Sequence, residues 1–221
     1  MSVENSAPQH NFRNYLVPMF LASATLFIFL DTWKLDNLWM PALKALPILC
    51  LMMIARLELR GKTLLFTFLA LSSSAIGDVL LEMQFPQHFV FGLGAFLIAQ
   101  LIYALGFLRF AEPPNRRNLI RTLPIVIAAL LLAQIILPAA GDLAPAVLAY
   151  LLAILAMAVA AAMHKGDATL LLAGAVIFMA SDTLIAINKF ITPLPLADAA
   201  IMLTYYSAQL CILYGIRRAQ A

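Results

Sequence analysis

Long apolar runs are the feature of this sequence that most restricts its fold. Each is long enough, at roughly twenty residues, to cross a bilayer. Because the hydrocarbon core has no water to pair with backbone groups, such runs fold as helices. The chain is 64% hydrophobic and 11% charged, whereas soluble domains are about 25% charged. The sequence therefore predicts an all-α polytopic membrane bundle. Its spans lie at approximately 15–31, 38–57, 62–83, 89–110, 119–140, 143–164, 167–189 and 196–217.

The length leaves room for one domain. We expect a polar N-terminal tail at 1–14 and a single eight-helix transmembrane domain at 15–218. The tail lacks the layout of a signal peptide, so the first apolar run is predicted to be a retained span. Segments 99–107 and 208–216 resemble each other, which leaves open an arrangement of two four-helix halves.

Basic residues are distributed unevenly among the predicted loops. If the N-terminus is cytoplasmic, most Lys and Arg residues fall in the inner segments, as the positive-inside rule requires. We therefore expect both termini in the cytoplasm and, for a bacterial chain, a location in the inner membrane. No feature predicts nucleic-acid binding. The spacing of Cys and His residues predicts no metal site, and no cofactor is expected.

Two carboxylates lie inside apolar spans. Asp78 and Asp182 each stand a few residues from the outer end of a predicted span, and Lys44 lies at a similar depth. At 1.5 Å per residue, this places all three about 8–10 Å below the outer boundary. A charged side chain near the membrane centre costs at least about 2.5 kcal/mol, so these groups are expected to be paired or functional. Tyr150, Tyr205 and Tyr206 are predicted to lie in the same layer.

Three interpretations of this polar layer are open: a structural contact between helices, ion or proton coupling in a transporter, and acid–base catalysis by two carboxylates. Ser74, Asp78 and Glu82 are spaced by four and should share one helix face. A conduit would need polar groups that continue to the inner side. The inner halves of the spans are nearly all Leu, Ala, Ile and Phe, which favours an enzyme or a lipid-binding protein over a proton-coupled transporter.

Several motifs together resemble one family over most of the chain. They lie in the same order at 44–47, 74–81, 91–96, 100–103, 181–190 and 203–209. On these segments the sequence resembles the lysoplasmalogenase (YhhN-like) family of membrane proteins. One departure is that Lys44 is followed by Ala45, with the proline only at Pro47, where the family often has Lys-Pro.

The resemblance implies hydrolysis of the vinyl ether bond of lysoplasmalogens, which are lysophospholipids of the bilayer, with surrounding membrane lipids as the other partners. The expected products are a fatty aldehyde and glycerophosphoethanolamine or glycerophosphocholine. Such a bond breaks when an acid protonates carbon and water attacks the resulting oxocarbenium ion. We expect Asp78 and Asp182 to be the catalytic pair, and replacement of either by Asn to abolish turnover. The expected substrate-binding residues are Lys44, Glu82, Tyr150, Asn188, Tyr205, Tyr206 and Gln209.

Overall fold

The computed structural model describes residues 7–35, 38–165 and 168–220, with side chains from residue 14 onward. Within those ranges it contains eight long α-helices, each long and apolar enough to cross a membrane, which confirms the predicted architecture. A short 3₁₀ turn at Gly141–Leu143 precedes the sixth helix. The helices are α1 (Ala7–Thr32), α2 (Met40–Glu58), α3 (Gly61–Glu82), α4 (His88–Leu108), α5 (Arg116–Ala139), α6 (Ala144–Ala162), α7 (Thr169–Phe190) and α8 (Ala197–Gln220).

Most predicted boundaries agree with these helices to within about three residues. The first differs, because α1 begins inside the predicted polar tail, at Ala7, and only its part from Asn14 to Thr32 has the apolar character of a span. Intrahelical hydrogen bonds can extend a helix beyond its apolar section. Residues 1–6 of the predicted tail lie outside the described residues, as do Gly166 and Asp167 in the predicted break before α7.

Local sequence signals explain several helix starts. Pro41 occupies the first turn of α2, where its missing N–H removes no hydrogen bond. Asn115 precedes α5, and its side chain accepts a hydrogen bond from the backbone N–H of Asn118 at 3.0 Å. This is a standard N-cap, which satisfies one of the unpaired donors of the first turn.

The packing of the bundle relates its first four helices to its last four. The most extensive contacts join α3 to α4 and α7 to α8, while α1 packs on α2 and α5 on α6. Between the halves, α4 packs on α6, and α8 packs on both α1 and α2. Exchanging the halves converts the α4–α6 contact into the α8–α2 contact, but the α1–α8 contact has no comparably extensive α4–α5 counterpart. The packing therefore agrees only in part with two equivalent four-helix halves. Helix α5 is the most peripheral element and packs mainly on α6 and α7.

Two ion pairs identify the two ends of the bundle. Lys34, after α1, contacts the Asp198 carboxylate at the start of α8, at 2.6 Å; we call this the upper end. At the opposite, lower end, Arg217 of α8 contacts Glu58 of α2 at 3.1 Å. The basic residues that the sequence assigns to the inner side cluster at this lower end.

Two glycines allow α7 and α8 to approach closely. A Cβ atom on Gly215 of α8 would lie 2.7 Å from the backbone nitrogen of Leu171, and one on Gly174 of α7 would lie 2.8 Å from that of Ile212. Small residues at such crossings let helix backbones touch within a membrane. The α7–α8 crossing therefore depends on the missing side chains.

We predict that Gly215→Ala lowers the melting temperature of the protein in detergent. The added methyl group meets backbone atoms of α7, and overpacking of this kind costs about 1–3 kcal/mol. Gly94→Ala is the matched control, because no atom lies within 4 Å of the corresponding Cβ position and Ala favours a helix over Gly. Equal melting temperatures for the two variants would contradict the close crossing.

Candidate active site

Asp78 lies in a cluster formed by three helices. Its side chain is 1% exposed, and its Oδ2 accepts a hydrogen bond from the Tyr205 hydroxyl of α8 at 2.8 Å. Close by, Lys44 of α2 donates to Glu82 at 2.9 Å, with only 13% and 17% of these two side chains exposed. We call Lys44, Asp78, Glu82 and Tyr205 the Asp78 cluster.

Asp182 has a simpler and more apolar environment. Its Oδ2 accepts a hydrogen bond from the Tyr150 hydroxyl of α6 at 2.7 Å. No other hydrogen bond and no ion pair involves this carboxyl group among the residues that the structure describes, so its second oxygen has no protein partner there. We call these two residues the Asp182 pair.

The two carboxyl groups are held separately. No side-chain hydrogen bond joins the Asp78 cluster to the Asp182 pair within the described chain. Aromatic rings lie between them: Phe96 packs edge-on against Tyr205 at 5.6 Å between ring centroids, and it also lines a cavity beside Asp182. The shared polar layer of the sequence prediction is thus two hydrogen-bonded groups with an aromatic wall between them.

Other predicted site residues have partners elsewhere. Tyr206 donates to the backbone carbonyl of Lys44 at 2.8 Å, beside the Asp78 cluster. Gln209 is fully buried, accepts from Tyr103 at 2.8 Å and donates to Ser74 at 3.0 Å. Asn188 accepts from the backbone N–H of Leu194 at 2.8 Å. This bond holds the α7–α8 loop, and Asn188 is brought to neither carboxyl group.

One face of α3 is more polar than the sequence suggested. Ser74, Asp78 and Glu82 share this face as predicted, contacting Gln209, Tyr205 and Lys44 respectively. Two further buried residues, Thr63 and Thr67, continue it toward the lower end. The expectation that the inner halves are almost purely apolar is therefore wrong for α3, because isolated threonines inside an apolar run are easily overlooked.

Cavities adjoin Asp182 on two sides. One lies between α4, α6 and α7 and is bordered by Leu93, Phe96 and Phe190; the other lies between α5, α6 and α7 and is bordered by Leu132, Ile154 and Met179. Each offers about 50 Å³. Tyr150 and Asp182 border both. The Asp182 pair is thus a polar point in an otherwise apolar cleft, whereas a larger recess of about 830 Å³ at the upper end reaches Glu82 but not Asp78.

Gln100 is a polar residue of this region that the site prediction missed. Its side chain is fully buried and lies beside the Tyr150 hydroxyl, yet neither amide atom has a hydrogen bond of good geometry. The similarity between 99–107 and 208–216 aligns it with Gln209, which was predicted to bind substrate. That alignment was the available signal. No three His, Cys, Asp or Glu side chains of the described ranges converge in a way that could hold a metal ion.

The eight apolar helices and the carboxyl group beside an apolar cleft identify a polytopic helical membrane protein. Residues 39–216 match the YhhN family, and the chain belongs to that family.

Several similar proteins carry the name lysoplasmalogenase. Lysoplasmalogenase TMEM86B of Sus scrofa is 35% identical over 212 residues, which cover 94% of this chain and 88% of the relative. Lysoplasmalogenase TMEM86A of Bos taurus is 33% identical over 221 residues, covering 89% and 86%. A lysoplasmalogenase of Mycobacterium tuberculosis is 33% identical over 151 residues, covering 66% and 58%. No solved structure is significantly similar.

We predict opposite stability effects for the two aligned glutamines. Gln209→Leu leaves the Tyr103 hydroxyl and Ser74 without their partner, and such a loss costs about 1–3 kcal/mol. Gln100→Leu removes two unpaired buried amide atoms, so the protein should be as stable as wild type or more stable. Melting temperatures in detergent measure both. If Gln100→Leu lowers the melting temperature as much as Gln209→Leu does, the Gln100 amide must have a hydrogen-bond partner, and the prediction is wrong.

Proposed function

We propose that the protein is a lysoplasmalogenase. It hydrolyses the vinyl ether bond of lysoplasmalogens within the bilayer, releasing a fatty aldehyde and glycerophosphoethanolamine or glycerophosphocholine. The observation that carries the proposal is the Asp182 pair, a hydrogen-bonded carboxyl group that borders an apolar cavity on each of two sides. Two relatives that align with most of this chain are named lysoplasmalogenase, which supports the same reaction.

The chemistry requires a group that holds a proton at neutral pH and can deliver it to carbon. Apolar surroundings favour the neutral form of a carboxyl group over the charged form. Asp182 protonates the vinyl carbon remote from the ether oxygen, which gives an oxocarbenium ion. The carboxylate that remains stabilises this cation and then takes a proton from water as the water adds. The hemiacetal collapses to aldehyde and alcohol, and Asp182 is protonated again.

Tyr150 and Gln100 support this cycle in our proposal. The Tyr150 hydroxyl donates to Oδ2, which stabilises the carboxylate while the other oxygen handles the proton. Gln100, buried beside Tyr150, offers an amide that can hold the attacking water. Both residues are fixed on transmembrane helices, where they hold the reacting groups more rigidly than loops would.

Asp78 has a different role in the proposal. It borders neither cavity of the Asp182 cleft nor the recess at the upper end, and its bond to Tyr205 orients a ring that packs on Phe96, a wall of the Asp182 cleft. In this proposal the expected catalytic pair is divided into a proton-transferring group, Asp182, and a positioning group, Asp78. We further propose that the upper end faces outward, with both termini in the cytoplasm and the chain in a bacterial inner membrane. Asp182 then lies about 12 Å below the outer end of α7, near the depth of a vinyl ether.

We predict that Asp182→Asn reduces aldehyde release by about 10²–10⁴-fold, the usual contribution of an acid–base group. Asp78→Asn should retain most activity, because the Asn carbonyl can still accept the Tyr205 hydrogen bond. The assay uses purified protein in detergent and a synthetic alkenyl-glycerophosphoethanolamine. Each variant is assayed at a temperature that lies the same number of degrees below its own melting temperature.

Two outcomes would contradict this proposal in different ways. An active Asp182→Asn protein would exclude Asp182 as the acid while leaving the reaction intact. No aldehyde from folded wild type would contradict hydrolysis itself. The buried polar face of α3, from Glu82 to Thr63, would then favour proton-coupled transport or lipid binding.

A further inference from the structure

A long recess follows α7 from the Asp182 cleft toward the lower end. It lies between α5 and α7, where these two helices pack sparsely, and has a volume of about 630 Å³. We call it the α5–α7 groove. Its lining is apolar apart from Arg121 and Thr183, and the apolar members are Pro124, Ile125, Ala128, Leu132, Leu172, Val176, Met179, Ala180 and Leu184.

The groove is continuous with the cleft around Asp182. Leu132, Met179 and Thr183 border both the groove and the cavity on the α5 side of Asp182. From Thr183 to Leu172 the groove follows α7 for about 16 Å at the helical rise per residue. An apolar chain attached to a group at Asp182 could therefore enter the groove without leaving an apolar environment.

The groove opens sideways to the lipid. Ala128 and Ala180 on its walls are exposed, and Val176 is 44% exposed. Its lower end is marked by Arg121 of α5, whose Nη1 is buried with no hydrogen-bond partner in the described chain. A hydrocarbon chain can fill the groove as far as this guanidinium group. Further extension would bury the charged group against an apolar chain, which costs free energy.

The opposite side of the cleft has the character of a headgroup region. The cavity between α4, α6 and α7 extends to Phe89 and Phe190 at the upper end. Lys189 is exposed there, with its Nζ 4.8 Å from the centre of the Phe89 ring. The cation at the upper end and the long apolar groove toward the lower end favour one orientation of a bound lysolipid, with its headgroup up and its chain down.

We propose that the α5–α7 groove binds the alkenyl chain of the lysolipid and limits the chain length that the enzyme accepts. This rests on the proposed function. The substrate carries one hydrocarbon chain, and that chain begins at the carbon next to the protonated one. With the vinyl ether at Asp182 and the phosphate toward Lys189, the chain lies along Met179 and Val176. Its end reaches Leu172 and Arg121.

The test narrows the groove and compares chain lengths. Ala128→Phe and Ala180→Phe place a ring in the groove, while Ala156→Phe adds the same ring to an exposed position of α6 that borders none of these cavities. The substrates are alkenyl-glycerophosphoethanolamines with a decenyl or an octadecenyl chain. We expect both groove variants to reduce kcat/KM for the long chain relative to the short one by about tenfold or more, and Ala156→Phe to leave the ratio unchanged. The inference would be overturned if the groove variants leave the ratio of the two kcat/KM values unchanged, including the case in which both values fall equally.

A second measurement does not depend on turnover. A saturated alkyl-ether lysolipid with a diazirine at the chain end cannot undergo this hydrolysis, and irradiation records where its chain lies. We expect crosslinks to α5 between Arg121 and Leu132 and to α7 between Leu172 and Leu184, and their loss in Ala180→Phe. Labelling of other helices alone would overturn the inference even if wild type is active. Groove labelling with an inactive wild type would contradict the proposed function but not the chain site.

Discussion

The hydrogen bond from Tyr150 to Asp182 is the interaction on which the rest of the site depends. The hydrocarbon around a membrane protein offers no hydrogen-bond partner, so a polar side chain there is stabilised by a partner within the protein. Each buried aspartate meets this requirement with a tyrosine from another helix: Asp182 joins α7 to α6, and Asp78 joins α3 to α8. The same need for internal partners thus connects two helices of the second half, α6 and α7, and joins the two halves through α3 and α8.

The two tyrosine–aspartate hydrogen bonds lie in different surroundings. Asp78 lies within electrostatic reach of the partly buried Lys44–Glu82 ion pair and borders neither cavity of the Asp182 cleft. Asp182 has an apolar cavity on either side and no ion pair in the described chain. In our proposal, access to the apolar cleft, rather than depth in the membrane, separates the proton-transferring group Asp182 from the positioning group Asp78.

Sequence periodicity predicted much of this arrangement. Apolar runs placed all eight helices, and the spacing of four put Ser74, Asp78 and Glu82 on one face. The pairing of each tyrosine with its aspartate could not be predicted, because it depends on which helices touch. Those contacts are set by features such as the close crossing at Gly174 and Gly215. Gln100 was missed because its alignment with Gln209 was the only signal, and an isolated amide in an apolar run shows no role until its neighbours are known.

In our proposal, Asp182 is fixed inside the cleft and protonates the vinyl carbon there. The most direct measurement is hydrolysis in deuterium oxide, with the aldehyde reduced at once and the configuration of the new CHD carbon determined. A proton delivered from Asp182 reaches one face of the bound alkene, so we predict a single configuration at that carbon. A mixture of both configurations in equal amounts would mean that carbon is protonated outside the cleft, and would contradict the account.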